Sequence, residues 1–328
     1  KFFFRDVVEK KSLVSLYSFE NEEFIFPNIH HATKFCLFTT GRGTTAIADR
    51  VHLVFSARQV DHLWDPERSF TLSAEDIALL NPNTRTCPIF RLRRDADLTK
   101  TIYNRVPTLI QEAHGDRPEQ NLWGLTIRRI FNMGIPEIVN LCVEAPYVED
   151  HTQWIPMIEA KMVFQFDHRF GTYEGQTQAQ ANQGKLPEVD IVQHENPHYR
   201  PQSRFFIKAA AVQDALLDLT VSDWLICWRD ITSSVTTRTA IAAVIPKAGT
   251  DFTLRIGFVA DLPARVMALF LGAFNAFVFD YCTRQMIGGN HLSDYIVKQL
   301  PIPSSSHATK AALWDEKLIF GDWILPRV

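Results

Sequence analysis

Cysteine is scarce in this chain, and its five copies, Cys36, Cys87, Cys142, Cys227 and Cys282, are an odd number with no two placed as a CxxC pair. That spacing disfavours both a disulfide framework and a zinc ribbon. Apart from the string His194-Glu195-Asn196-Pro197-His198, there is no HExxH and no histidine pair at metal-ligand spacing beyond the adjacent His30-His31, and no dedicated metal site is expected. A GxSxG nucleophile elbow is missing, as are GxGxxG and GxxxxGK loops, which leaves no place for a nucleotide-cradling first βα unit. Charge of one sign is not in excess either. The 34 Lys+Arg and 37 Asp+Glu give a formal net charge of -3, which argues against a polycation that binds nucleic acid by bulk electrostatics. Long hydrophobic runs are also lacking. The most apolar segment, Val266 to Phe279, holds Asn275 and is bounded by Arg265 and Asp280, short of the ~20 residues that span a bilayer; it reads as a buried core helix.

What is present is ample material for a core. The 328 residues are 46% hydrophobic and 22% charged, with 24 Phe, 7 Tyr and 7 Trp as large burial units, so disorder and low complexity are excluded and about two domains are expected. The opening Lys1-Phe2-Phe3-Phe4-Arg5-Asp6 has neither an initiator Met nor a signal region, from which a cytoplasmic protein that begins in mid-chain is expected.

Along the chain, a short helix over Phe3 to Lys11 leads to apolar strands at Leu13 to Phe19, Phe35 to Thr39 (before Gly41-Arg42-Gly43) and Val51 to Phe55. Ser73 and Asp76 form a capping box opening a helix through Leu80, and Asn81-Pro82-Asn83-Thr84 ends it. The spacing of Leu92, Ala96, Leu98, Ile102, Tyr103, Val106 and Ile110 predicts a basic helix over Arg91 to Gln111, carrying Arg91, Arg93, Arg94, Lys100 and Arg105. A strand or bent edge segment follows at Trp123 to Phe131. A period-two strand is predicted over Lys161 to Asp167 with Met162, Phe164 and Phe166 inward, then a surface loop from Glu174 to Lys185. A helix from Arg204 to Leu219 precedes strands at Asp223 to Ile231, Arg238 to Pro246 and Phe252 to Phe258. In the first of these, Trp224, Ile226 and Trp228 share one face and Arg229 takes the other. A long helix from Pro263 to Gln285 leads into the turn Gly288-Gly289-Asn290-His291-Leu292. The mixture is α+β rather than a regular βαβ alternation.

Two constellations invite a chemical reading. Asp150 and, nine residues on, Glu159-Ala160-Lys161 have the residue types of a metal-dependent phosphodiesterase, two carboxylates for a divalent ion and a lysine for water; the motif is short and its spacing permissive, so two charges at a strand edge is the preferred reading. Asn81-Pro82-Asn83-Thr84 lacks the second proline and the aromatic needed to stack on a flipped base and reads as a helix-ending turn. Long-reach polar groups gather at strand ends and turns instead: Lys161, Gln165, His168 and Arg169; Arg229 and Asp230; Arg238 and Thr239; Gly289, Asn290 and His291. Arg and Lys can bond guanine, Gln and Asn can bond adenine, and backbone N–H groups at glycine turns bind phosphates.

The segments Leu80-Asn81-Pro82-Asn83-Thr84-Arg85-Thr86-Cys87-Pro88-Ile89-Phe90, Glu159 to Arg169, Trp228-Arg229-Asp230-Ile231 with Arg238-Thr239, and Arg284-Gln285 through Gly289-Asn290-His291-Leu292 to Lys298-Gln299-Leu300-Pro301-Ile302-Pro303 together resemble the C-terminal half of the large adenine-N6 DNA methyltransferases. These occur in type II restriction enzymes with fused methylase activity and in DISARM-type phage defence. The resemblance implies a TaqI-type specificity (target recognition) domain over residues 141–303. Residues 1–60 would be the last strands of a class I methyltransferase-like domain, 61–140 a mainly helical connector and 304–328 a tail. The catalytic Asn-Pro-Pro-aromatic loop and the S-adenosylmethionine motif would lie upstream, and the family continues past Val328. Many relatives carry Gly where this chain has Ala160.

The expectation is therefore the DNA-recognition portion of a restriction-modification methyltransferase, with duplex DNA, the upstream catalytic domain and other restriction or defence subunits as partners and no membrane. It has no catalytic, cofactor or metal residues of its own. Lys161, Arg169, Arg229, Arg238 and Lys247 are expected as phosphate or guanine contacts, and Gln165, His168, Asn290 and His291 as base-edge or turn-shaping contacts. The rival readings are a metal-dependent nuclease using Asp150, Glu159 and Lys161, and a protein-interaction module of a defence complex.

Overall fold

The computed structural model describes residues 2–41, 49–145, 152–219, 223–259 and 263–328; Arg42 and Gly43 lie outside them. The fold is α+β, small sheets interleaved with helices. The chain forms two compact units, one of Lys1–Gln120, Tyr281–Gly288 and Tyr295–Pro301, the other of Asn121–Asp280, Gly289–Asp294 and Ile302–Val328. Among the described residues no single helix is long and apolar enough to cross a membrane.

In the first unit, after the helix Phe2–Glu9, the strand Leu13–Glu20 pairs antiparallel with Lys34–Thr40 and parallel with Arg50–Ala57, and Phe70–Ser73 completes a four-stranded sheet. Phe19, Val54 and Ala57 are its buried centre, covered by Tyr17, Phe35 and Leu63. The capping box forms: the Ser73 hydroxyl accepts from Asp76 N at 3.1 Å and the Asp76 carboxylate accepts from Ser73 N at 3.1 Å, opening the helix Ala74–Leu80. Asn81 then ends it. The turn it begins is closed from inside, because Asn83 donates to Ile110 O (2.9 Å) and accepts from Glu112 N (2.8 Å), while Gln299 Oε1 accepts from the Asn83 and Thr84 amides at 3.2 Å each. The basic helix spans Arg93–Arg105 and stops six residues earlier than its periodicity predicts. Pro107 disfavours helical backbone at the residue before it, and Val106 is extended at φ -125, ψ 123. Thr99 rather than Leu98 joins Ala96 and Tyr103 on the buried face, and Leu92 and Leu98 are exposed.

The second unit holds two four-stranded sheets. One runs Ala242–Pro246, Trp224–Arg229, Leu254–Val259 and Leu125–Arg128, all antiparallel; the other runs Gly249–Thr250, Trp154–Ile158, Phe205–Lys208 and Cys142–Glu144. They share one core. Leu225, Cys227, Ile256 and Phe258 from the first meet Met157, Ile158 and Ile207 from the second, with Val212 and Leu216 of the helix Ala209–Leu216. The alternation read in Trp224–Arg229 holds, since Leu225 and Cys227 enter this core while Trp228 lies against Phe274 at 5.4 Å between centroids.

Several elements of the second unit differ from the sequence pattern. Lys161 to Asp167 is not a strand: the strand ends at Ile158 and a 3-10 turn, Ala160–Met162, follows. The turn breaks the two-residue alternation, so Met162 is buried while Phe166, in left-handed backbone at φ 63, is 46% exposed. Glu174 to Lys185 contains a short helix, Gln178–Asn182, capped by Thr177 and Gln180. Arg204 to Leu219 begins as the strand Phe205–Lys208 before turning helical. The long apolar helix is two helices, Ala264–Phe274 and Phe277–Met286, because Asn275 leaves the helix to bond a strand. Its Oδ1 accepts from Ala242 N (3.0 Å) and its Nδ2 donates to Ala242 O (2.9 Å), and the paired strand starts only there, at Ala242 rather than Arg238.

Trp228 needs the space that Gly257 leaves. A Cβ at Gly257 meets the Trp228 ring at 2.9 Å and the Leu125 side chain at 3.0 Å, and the ring is fully buried. Replacing Gly257→Ala is expected to lower stability by about 1–3 kcal/mol through overpacking, measured by urea unfolding with tryptophan fluorescence; an unchanged midpoint contradicts this packing.

Candidate functional site

The second unit carries a buried charge cluster. Arg255, 1% exposed, stands on a central strand directly across from Trp228. A guanidinium there must be compensated, since an unpaired buried charge costs several kcal/mol. Asp230 at the end of the neighbouring strand supplies one carboxylate (Nη2 to Oδ1, 2.8 Å), and Asp294 supplies a second (Nε to Oδ1, 3.1 Å). Arg255 Nη1 also donates to Phe252 O at 3.2 Å. Both carboxylate contacts are ion pairs. Burial pulls the Arg255 pKa down, and Asp294 and Asp230 hold it up.

That cluster pins the glycine turn expected to face a ligand. Leu292 N donates to Asp230 O (2.7 Å), Thr232 N donates to Asn290 O (3.0 Å), and Ile231 and His291 form an antiparallel bridge. The His291 side chain is 59% exposed, yet its Nδ1 lies 2.8 Å from Asp230 Oδ2. Donation from Nδ1 orients the ring and leaves Nε2 without a partner among the described residues. Asn290 is exposed beside it. An oriented imidazole and a free carboxamide on a rigid turn can bond a base edge or a phosphate oxygen.

The other expected contacts divide into two groups. Gln165, Arg229, Arg238 and Lys161 are engaged within the unit. Gln165 donates to Ala240 O and Asn275 O. Arg229 donates to Val163 O at 2.7 Å and lies over the Phe164 and Phe170 rings, and burial draws its pKa down to about 10. Arg238 bonds Asn275 O, faces Asp280 at 3.9 Å and lies over Phe277. Lys161 pairs with Glu159 at 3.3 Å, and the second Glu159 oxygen accepts from Tyr173 at 2.6 Å; burial and that bond raise the Tyr173 pKa. Asp150, the remaining residue of the nuclease reading, lies outside the described residues, among which no group of His, Cys, Asp and Glu is placed to hold a metal ion. The methyl of Ala160 belongs to the core.

His168, Arg169 and Lys247 come together at a cleft of the same unit. Arg169 donates to His194 O (2.8 Å) and Asn196 O (3.0 Å), closing the end of the helix Ile191–Glu195, and its amide donates to Asp167 Oδ1 (2.7 Å). His194 completes the lock through Nε2 to Asp167 Oδ2 (3.0 Å) and Nδ1 to Asp190 O (2.9 Å). Only a protonated ring donates from both nitrogens, and the bonds to Asp190 and Asp167 raise its pKa. Loss of solvent on the cleft wall lowers the His168 pKa, against the pull of Asp167. Two further residues of this cleft, Tyr199 and Arg200, escaped the sequence reading, although their place between Pro197 and Pro201 in Pro-His-Tyr-Arg-Pro marks a stiff segment carrying an aromatic and a cation. Arg255 and Asp294 escaped it too; the signal is an arginine inside the apolar run Leu254-Arg255-Ile256.

Replacing Arg255→Met leaves two carboxylates without their cation and is expected to destabilise the chain by about 3–5 kcal/mol. Asp230→Asn, milder, is expected to speed amide hydrogen exchange at Leu292, whereas unchanged exchange there contradicts the anchoring role.

No family model matches the chain, and no curated protein matches it in sequence. Among solved structures it is similar to the type IIG restriction endonuclease BpuSI, at 11% sequence identity and a TM-score of 0.36, over 99% of this chain and 39% of that one. The chain thus spans about two fifths of that endonuclease's length. At that identity and TM-score the likeness gives no residue here a role.

Proposed function

We propose that this chain is the DNA-recognition portion of a site-specific adenine-N6 DNA methyltransferase of a restriction-modification system, holding duplex DNA for a catalytic lobe encoded upstream. The observation that carries the reading is the turn Gly289-Asn290-His291, whose exposed polar side chains stand on a backbone anchored by buried charges. Reading a base edge requires polar groups held in place before the ligand arrives, on rigid elements with a supporting layer behind them. The ordered resemblance of four segments to the family supports the same reading. His168, Arg169 and Lys247 fit contacts to phosphate, which orient the protein on the duplex without reading sequence. Gln165, Arg229, Arg238 and Lys161 fit a supporting role behind those surfaces.

S-adenosylmethionine, the cofactor of that family, finds no glycine loop at the end of the first strand. The first strand, Leu13–Glu20, runs into a turn closed by the Asn21 side chain, which bonds the Phe26 N–H and the Phe26 and Ile29 carbonyls, and residues 1–40 contain no glycine. The reading places the methyl donor on the proposed catalytic lobe.

The test is selection by the purified chain from a pool of randomised duplexes, followed by a salt titration of the enriched sequences. The reading predicts an enriched consensus, affinity that falls steeply with salt, and a His291→Ala variant that loses about 1–3 kcal/mol on the consensus while its unfolding midpoint stays in place. Absence of enrichment together with salt-independent binding rejects it.

A further inference from the structure

The cleft that gathers His168, Arg169 and Lys247 encloses about 650 Å³, inside the range of about 300–1,000 Å³ typical of small-molecule sites. Its chemistry is lopsided. Arg169, Arg200, Lys247 and His168 line it, and no carboxylate does. Arg200 and Lys247 are exposed, and their side chains make no hydrogen bond or ion pair among the described residues. Asp167, next to His168, is already engaged by the Arg169 amide and His194. Glu174 stands outside the lining and accepts from the Tyr199 hydroxyl at 3.0 Å. A cleft of similar size in the first unit, about 640 Å³ beside the basic helix, is lined by Glu67 and Asp97 as well as Arg93 and Arg94, so its charges offset one another.

Between the cations the walls are apolar: Ile158, Met162, Pro156, Pro201 and Pro246. Tyr199, half-buried, adds an aromatic ring on a segment held between two prolines. Ser203 lines the same space and is 1% exposed, and its hydroxyl has the Met162 sulfur at 3.9 Å as its only partner among the described residues. A buried hydroxyl with such a weak acceptor is free to donate to a ligand. Apolar walls with an aromatic ring suit a flat heterocycle, unpaired cations at the rim suit a phosphate, and a lone buried hydroxyl suits one polar edge.

We infer that this cleft binds a single nucleoside monophosphate unit, its base between Tyr199 and the proline walls and its phosphate on Arg200 and Lys247. Such a unit comes from one of two sources, a free nucleotide or an unpaired nucleotide within a strand; the strand-borne form rests on the reading of the chain as a DNA-recognition portion.

The experiment titrates the full chain by NMR and equilibrium dialysis with deoxynucleoside 5′-monophosphates, with the corresponding deoxynucleosides and with inorganic phosphate. Monophosphates are expected to bind at least fivefold more tightly than either part. The double variant Lys247→Glu, Arg200→Ala is expected to lose tenfold or more, and Arg204→Ala, on an exposed arginine paired with Glu144 outside the cleft, to lose nothing. In a second arm, a duplex with a two-nucleotide bulge is compared with the fully paired duplex. A preference for the bulge that the double variant abolishes assigns the strand-borne source, whereas monophosphate binding without that preference assigns the free nucleotide. Absence of both monophosphate binding and bulge preference overturns the inference, as does binding that survives the double variant. Paired-duplex binding is read with His291→Ala, which leaves the cleft intact, and the cleft with free monophosphates, so the DNA-recognition reading and the cleft assignment can fail independently.

Discussion

A guanidinium with almost no access to water sets the architecture of the second unit. Arg255 stands on an interior strand where its neighbours are Leu254, Ile256 and, across the sheet, Trp228. A positive charge in that position is tolerated only with carboxylates at hand and a carbonyl to share, and Asp230, Asp294 and Phe252 O supply them. Because Asp230 lies at a strand end and Asp294 follows the glycine turn, satisfying the arginine also fixes the turn between them. The exposed ring of His291 is thus oriented by a carboxylate that is itself held by a buried cation.

The same unit shows how polar residues at strand ends separate into two roles. Arg229 and Arg238 look from their positions like free cations, yet each has a backbone carbonyl and aromatic faces around it. Those contacts hold each guanidinium in place. Arg200 and Lys247 are the converse, exposed on a cleft with apolar walls and unpaired among the described residues. A near-neutral net charge is compatible with nucleic-acid binding when a few unpaired cations are concentrated in one place and the rest are neutralised internally.

Local rules made much of the fold legible. The Ser73–Asp76 capping box, the strand Leu13–Glu20 and the two-faced pattern of Trp224–Arg229 depend on neighbours in sequence, and each formed as read. Periodicity failed where a single residue changed the backbone: Pro107 at the end of the basic helix, the 3-10 turn at Ala160–Met162, and Asn275, whose amide found a strand partner. Within the site, Asn290 and His291 were visible because a glycine turn carries them. The rest of the charge cluster behind Asp230 was not, since Arg255 and Asp294 are 36 and 3 positions from His291 and their pairing depends on strand register. The Tyr199–Arg200 wall was hidden for a similar reason, being brought to Lys247 only by the tertiary fold.

The most direct measurement is photo-cross-linking of the full chain to a halogenated duplex, with the attached peptides identified by mass spectrometry. The account predicts adducts on the segment Gly289 to His291, lost when Asp230 is replaced by Asn and the turn is released. Cross-links confined to the basic helix Arg93–Arg105, or adducts at His291 that survive Asp230→Asn, contradict it.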